Sequence, residues 1–162
     1  MLTDNGSLFS TMNMLAMCGW VILIFSPKRW NAVLMITGIL IPTILGVLYG
    51  GLMLTHMSSA EGGGYASISQ VRALMSYDPV LVAGWAHYLA FDLIVGTLVA
   101  KEADKTGISR LVQAPILFGT FMYGPAGLIL YLITHILWKG ISERRSVAQM
   151  SSSGTINSEE TL

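Results

Sequence analysis

Four long apolar stretches, parted by short polar ones, organise the chain. Residues 5–27, 30–60 and 111–138 contain no Asp, Glu, Lys or Arg, and residues 79–100 contain one, Asp92. A helix needs about 20 mostly apolar residues to cross a bilayer. The pattern therefore predicts an all-α integral membrane protein with four transmembrane helices. Span 1 runs from Leu8 to Phe25 and stops at Ser26-Pro27-Lys28-Arg29. It reads as a retained helix, because Asp4 precedes it and no Lys or Arg does, unlike the charged start of a signal peptide. Span 2 covers Asn31 to Leu54, with Pro42 inside it and Gly46 and Gly50 at a spacing that lets helix backbones approach closely.

Between spans 2 and 3, Gly62-Gly63-Gly64 forms a flexible break, after which Ile68, Val71, Leu74 and Met75 recur at helical spacing beside Arg72. This predicts a short amphipathic helix lying at the membrane interface. Asp78-Pro79 opens span 3, from Val80 to Ala100, and Lys101 to Gly107 form a tight charged turn. Span 4 extends from Leu111 to Trp138, longer than a crossing requires, and a tilt or kink is expected at Pro115 or Gly124-Pro125. The chain thus divides into a four-helix transmembrane domain, residues 1–140, and a Ser-rich tail, residues 141–162, expected to be disordered.

Composition agrees. Charged residues are 11% of the chain, nine basic and nine acidic, against about 25% in soluble domains. Mean hydropathy is +0.63. A net charge of zero without a basic run excludes nucleic acid as a partner. A single cysteine, Cys18, excludes a disulfide framework and a cysteine-based metal site. With four crossings, the basic residues split almost evenly between the two faces. The first hairpin then decides the orientation, with both short loops cytoplasmic and both termini opposite.

The informative segment is Gly84-Trp85-Ala86-His87-Tyr88-Leu89-Ala90-Phe91-Asp92-Leu93. A carboxylate at the centre of a spanning helix costs about 2.5–3.5 kcal/mol on insertion scales. Such a group faces the bundle interior and has a partner, as a proton donor, ion ligand or substrate anchor, or as a structural hydrogen-bond hub. At 100° per residue, Trp85, Tyr88, Asp92 and Gly96 share one face, while His87 points about 140° away from Asp92. A His87–Asp92 dyad within the helix is excluded, and each residue needs a partner on another helix. Counting from the span centres puts Asn13, Tyr49, Trp85, His87, Tyr88 and Tyr131 in the half of the membrane nearer the termini. Asp92 lies level with Gly124-Pro125, where Pro125 leaves the carbonyl of Phe121 short of a donor. Trp30, Trp138 and Tyr49 also suit an interfacial aromatic belt. His56 and His135 read as interfacial, His87 and His135 differ too much in depth to share a haem, and no lysine lies in a span for a retinal Schiff base. No cofactor and no metal is expected.

The run GWAHYLAFDLIVG, residues 84–96, resembles the signature of the ABA4-like membrane proteins. The resemblance extends to Asn13, Trp20 and Ser26-Pro27 in the first span and to the stretch from Ser67 to Leu74. It continues through Ala103-Asp104 and Gly107-Ile108, then Pro115, Gly124-Pro125-Ala126-Gly127 and Tyr131, covering residues 9–135. Two features depart from the family pattern: Thr97-Leu98 follows Gly96 where an aromatic is usual, and Gly62-Gly63-Gly64 is an insert. Plant members of the family are required to form neoxanthin from violaxanthin. The resemblance therefore implies a link to carotenoids or similar polyisoprenoids. Without a chloroplast transit peptide, it implies a bacterial member in the cytoplasmic membrane, or a plastid protein in its mature form.

Three functions follow as expectations. The first is an enzyme that opens a xanthophyll epoxide to an allenic alcohol in the bilayer without a redox cofactor. Asp92 would be the acid and His87 the base, with Trp85, Tyr88, Asn13, Tyr49, Tyr131 and Pro125 holding the substrate. The second is a non-catalytic protein that binds a pigment or lipid, forms a homo-oligomer or supports a partner enzyme. The third is an ion- or proton-coupled transporter unit.

Overall fold

A computed structural model of the chain describes residues 4–25 and 30–141. Every regular element in them is helical. Helix α1 is Asn5–Phe25, and α2, Trp30–Val33, leads through a π-helical stretch, Leu34–Leu40, into α3, Ile41–His56. Helix α4, Ile68–Met75, is short; α5, Asp78–Lys105, is the longest; α6, Arg110–Tyr123, and α7, Pro125–Ile141, complete the chain. Three helical stretches are long and apolar enough to cross a membrane: Asn5–Phe25, Asn31–Ser59 and Asp78–Lys105.

The π-helical stretch has a local cause. Pro42 lacks the N–H that residue 38 would use, and its ring crowds that carbonyl. The helix widens just before it, so that Ile41 N–H bonds to the Ile36 carbonyl, five residues back. The bulge also delivers buried Thr37 to α5, where its hydroxyl meets that of Thr97 at 2.8 Å. Each hydroxyl also reaches its own helix, Thr37 bonding to the Val33 carbonyl and Thr97 to that of Leu93.

Helix α5 is the spine of the molecule, packed by α1, α3 and α6. Close approach occurs at three glycines. Gly19 on α1 sits against Leu93 and Ile41, Gly38 against Thr97, and Gly96 lies under the Trp20 ring. Gly46 and Gly50 are not a seam within the chain: a methyl group at either would meet nothing within 4 Å.

The interfacial helix expected at residues 68–75 is present as α4. Ser67 caps it by accepting from the Gln70 N–H, and Leu74 is its one buried residue, packed with Ala60 and Val80. The charged turn differs from expectation. Helix α5 continues through Lys105, and the reversal comes at Gly107, φ +72°. It is fastened by Asp104, which accepts from Arg110 at 2.7 Å and from Gln113 at 2.7 Å.

The largest correction concerns the fourth span. Residues 111–138 do not form one crossing helix. Gly124 adopts φ +48°, ψ −100°, a conformation open to glycine alone, and ends α6. Pro125 then begins α7, where its missing N–H costs no hydrogen bond. The two helices double back so tightly that a methyl group on Gly127 would overlap the backbone of Thr120. Helix α7 returns along α5: Leu128 and Tyr131 line one cavity with Val95, Leu98, Lys101 and Lys105. Gly124-Pro125 is thus a reversal rather than a kink. Ser26 to Arg29 and the tail expected to be disordered, from residue 142 on, lie outside the described residues, as does the side chain of Trp30.

Candidate functional site

Asp92 lies halfway along α5 and is buried, 8% exposed. It faces the tip of the α6–α7 hairpin. A Cβ on Gly124 would stand 2.7 Å from Asp92 Oδ1, so only glycine lets the backbone come this close. The Tyr88 hydroxyl, one helical turn from Asp92 and within its electrostatic reach, donates to the Met122 carbonyl at 3.4 Å. Asp92 Oδ2 is buried without a hydrogen-bond partner. A buried oxygen without a donor is costly.

The level predicted for Asp92 and Gly124-Pro125 agrees with this geometry, and so does the shared face of Trp85, Tyr88 and Asp92. Trp85 Nε1–H donates to Asn13 Oδ1 at 3.0 Å, tying α5 to α1. The Trp85 ring also lies beside Phe9, with centroids 5.7 Å apart, and beside Tyr88, 5.3 Å apart. Asn13, Trp85, Tyr88 and Asp92 therefore form one ladder, with the exposed Pro125 at its foot.

His87 does not join it. Its ring stacks on Phe91, with centroids 4.5 Å apart, and meets Tyr49 of α3 at 5.2 Å. His87 and Tyr49 line a separate cavity of about 230 Å³ with Met53, Tyr65, Leu74, Met75, Val80 and Gly84. The helical angle had already separated His87 from Asp92, and no other element reunites them.

Tyr131 is displaced from its expected level. The depth count assumed a straight span and put it near the termini. The reversal at Gly124 instead carries it to the opposite end, beside Lys101, Glu102 and Lys105. There it is buried and its hydroxyl bonds to His135 Nδ1 at 3.2 Å. It contributes to the hairpin's packing and not to the Asp92 site.

Sequence reasoning missed Trp20 as a neighbour of this site, and at Gly124, which it placed level with Asp92, it missed the reversal. The Trp20 ring is buried between Gly96 and Phe121, and its Nε1 has no partner. The signal for Gly124 was the Gly-Pro pair, which reads equally as a kink until the partner helix is seen.

No curated protein and no solved structure matches the chain. A family model does match, over residues 7–131, which spans α1 through the first part of α7 and includes every residue of the Asp92 ladder. The chain belongs to the ABA DEFICIENT 4-like (ABA4-like) family.

Proposed function

We propose that the protein acts on a carotenoid-like polyisoprenoid dissolved in the bilayer, with Asp92 as the proton-transferring group. The observation that carries this reading is the unpartnered Oδ2 of a buried carboxyl, set beside a tyrosine hydroxyl at a hairpin tip. Family membership supports the substrate class. The reaction is an isomerisation of an epoxide to an allenic alcohol. Asp92 gives its proton to the epoxide oxygen as the ring C–O bond breaks. The resulting carboxylate then takes a proton from the neighbouring chain carbon, and the allene forms. One proton goes on and one comes off, so a single carboxyl closes the balance and no oxidant or reductant is needed. His87, on the other face of α5, has no part in this step. Tyr88, whose hydroxyl donates to the Met122 carbonyl, holds the hairpin tip beside the carboxyl and transfers no proton.

The second reading is a binder that leaves its ligand unchanged. It is favoured by the cavity at His87, which is apolar apart from His87, Tyr49 and Tyr65 and lies under α4. One experiment separates the two. The protein is reconstituted in liposomes with an epoxidised xanthophyll, and the pigments are extracted over time. Conversion to an allenic product of the same mass, lost by at least about 100-fold in Asp92→Asn, is the expected result. Pigment that co-purifies and returns unchanged establishes the binder, and conversion that survives Asp92→Asn removes this role from Asp92.

A further inference from the structure

We propose that α6–α7 is a re-entrant hairpin. It enters the bilayer and leaves it through the face that carries the α5–α6 turn, so the chain crosses three times. This topology does not rest on the Asp92 reading.

Helix length gives the first argument. From Arg110 to Lys139 a straight helix would extend about 44 Å at 1.5 Å per residue, enough to carry Lys139 across the whole membrane. In the structure Arg110 is fastened to Asp104 near the end of α5, and Glu102, one turn earlier, lies within electrostatic reach of both His135 and Lys139. Both ends of the α6–α7 unit are therefore at one end of α5. The 14 residues of α6 rise about 21 Å, short of a hydrocarbon core of about 30 Å.

Chemistry at the tip gives the second. Irregular backbone at membrane depth is tolerated only where protein satisfies it. The turn at Gly124 is covered by Asp92, and Tyr88 reaches the Met122 carbonyl. The outer side of α7, by contrast, is apolar and exposed at Ile129, Leu132, Ile133, Ile136 and Leu137, as a surface against acyl chains requires.

Charge gives the third. With four crossings the basic residues divide almost evenly. With three crossings Lys101, Lys105, Arg110 and Lys139 share one end, joined in sequence by Lys28 and Arg29 before α2 and by Arg144 and Arg145 after α7. Arg72 alone belongs to the other. That is the asymmetry expected of a cytoplasmic face.

Beyond the tip, on the N-terminal side, no helix among the described residues stands where a fourth span would. Phe9 and Trp85 remain 40% and 38% exposed there.

The test uses a Cys18→Ser background and needs no pigment. Single cysteines at Ser58, Thr106 and Gly140 are exposed to a membrane-impermeant maleimide in sealed vesicles of known orientation, with detergent-opened vesicles confirming that each can react. Thr106→Cys and Gly140→Cys should label from one side and Ser58→Cys from the other. Gly140→Cys labelling together with Ser58→Cys overturns the proposal. A spin-label pair at Thr106 and Lys139 gives a second reading in lipid nanodiscs: below about 25 Å for the hairpin, above about 40 Å for a straight span. A failed pigment assay with these results leaves the topology standing and rejects only the Asp92 chemistry.

Discussion

A carboxyl group in a hydrocarbon environment needs a reason, and Asp92 has two within reach. It lies beside the first turn of α7, where the helix dipole favours negative charge, and it keeps one oxygen without a partner. The first is architecture and the second is chemistry, and Asp92→Asn divides them. The amide keeps the size and the accepting oxygen but cannot give up a carboxylic proton. We expect thermal unfolding in detergent to change by a few degrees at most while conversion is lost. Loss of the fold together with conversion would assign Asp92 to architecture alone. Gly124 is the complementary position. Alanine there must adopt a left-handed φ and press a methyl group onto Asp92 Oδ1. Gly124→Ala should cost at least about 1 kcal/mol, read as a fall of several degrees in the unfolding midpoint. An unchanged midpoint would show that the reversal is not held at this residue. Gly46→Ala, with open space around it, is the control expected to do nothing.

At the scale of elements, α5 meets each neighbour through a different device. Against α1 it uses a tryptophan over a glycine and an indole-to-amide hydrogen bond. Against α3 it uses the Thr37–Thr97 pair, and against α6 the Asp104 clasp. The threonine pair is suited to a double-mutant cycle. Thr37→Val and Thr97→Val should show a coupling of about 0.6 kcal/mol, with about 1.7 as the upper end for polar pairs between membrane helices. Strict additivity would mean that the two hydroxyls serve only their own helices. Much at this scale was legible beforehand. Asp78-Pro79 marks the start of α5, the spacing of Ile68, Val71, Leu74 and Met75 marks α4, and charge-free runs outline α1 and the long helix through Ser59. The π-helical stretch was not legible, because Pro42 announces a disturbance without saying whether the helix will kink, break or widen.

For the whole molecule, composition identified helices long and apolar enough for a membrane, three of them among the described residues, and read as a single fourth helix what is two, α6 and α7. Hydropathy measures whether a stretch tolerates lipid, and α6 and α7 both do. It carries no information about direction, which turns on one glycine dihedral and on a glycine, Gly127, small enough to lie on Thr120. The Asp92 ladder was legible because it depends on the spacing within one helix. The position of Tyr131 was not, because it depends on a reversal between two. Bulk at the contact should therefore undo the arrangement: Gly127→Leu is expected to drive the spin-label pair at Thr106 and Lys139 apart, and a distance that stays short would show that α7 is held by Tyr131 and its neighbours instead.

The order of synthesis gives this reversal a further meaning. The ribosome delivers α5 before α6 and α7, so Asp92 leaves it ahead of Gly124. The carboxyl is covered only when the hairpin tip docks against it, which makes that docking a late event of assembly.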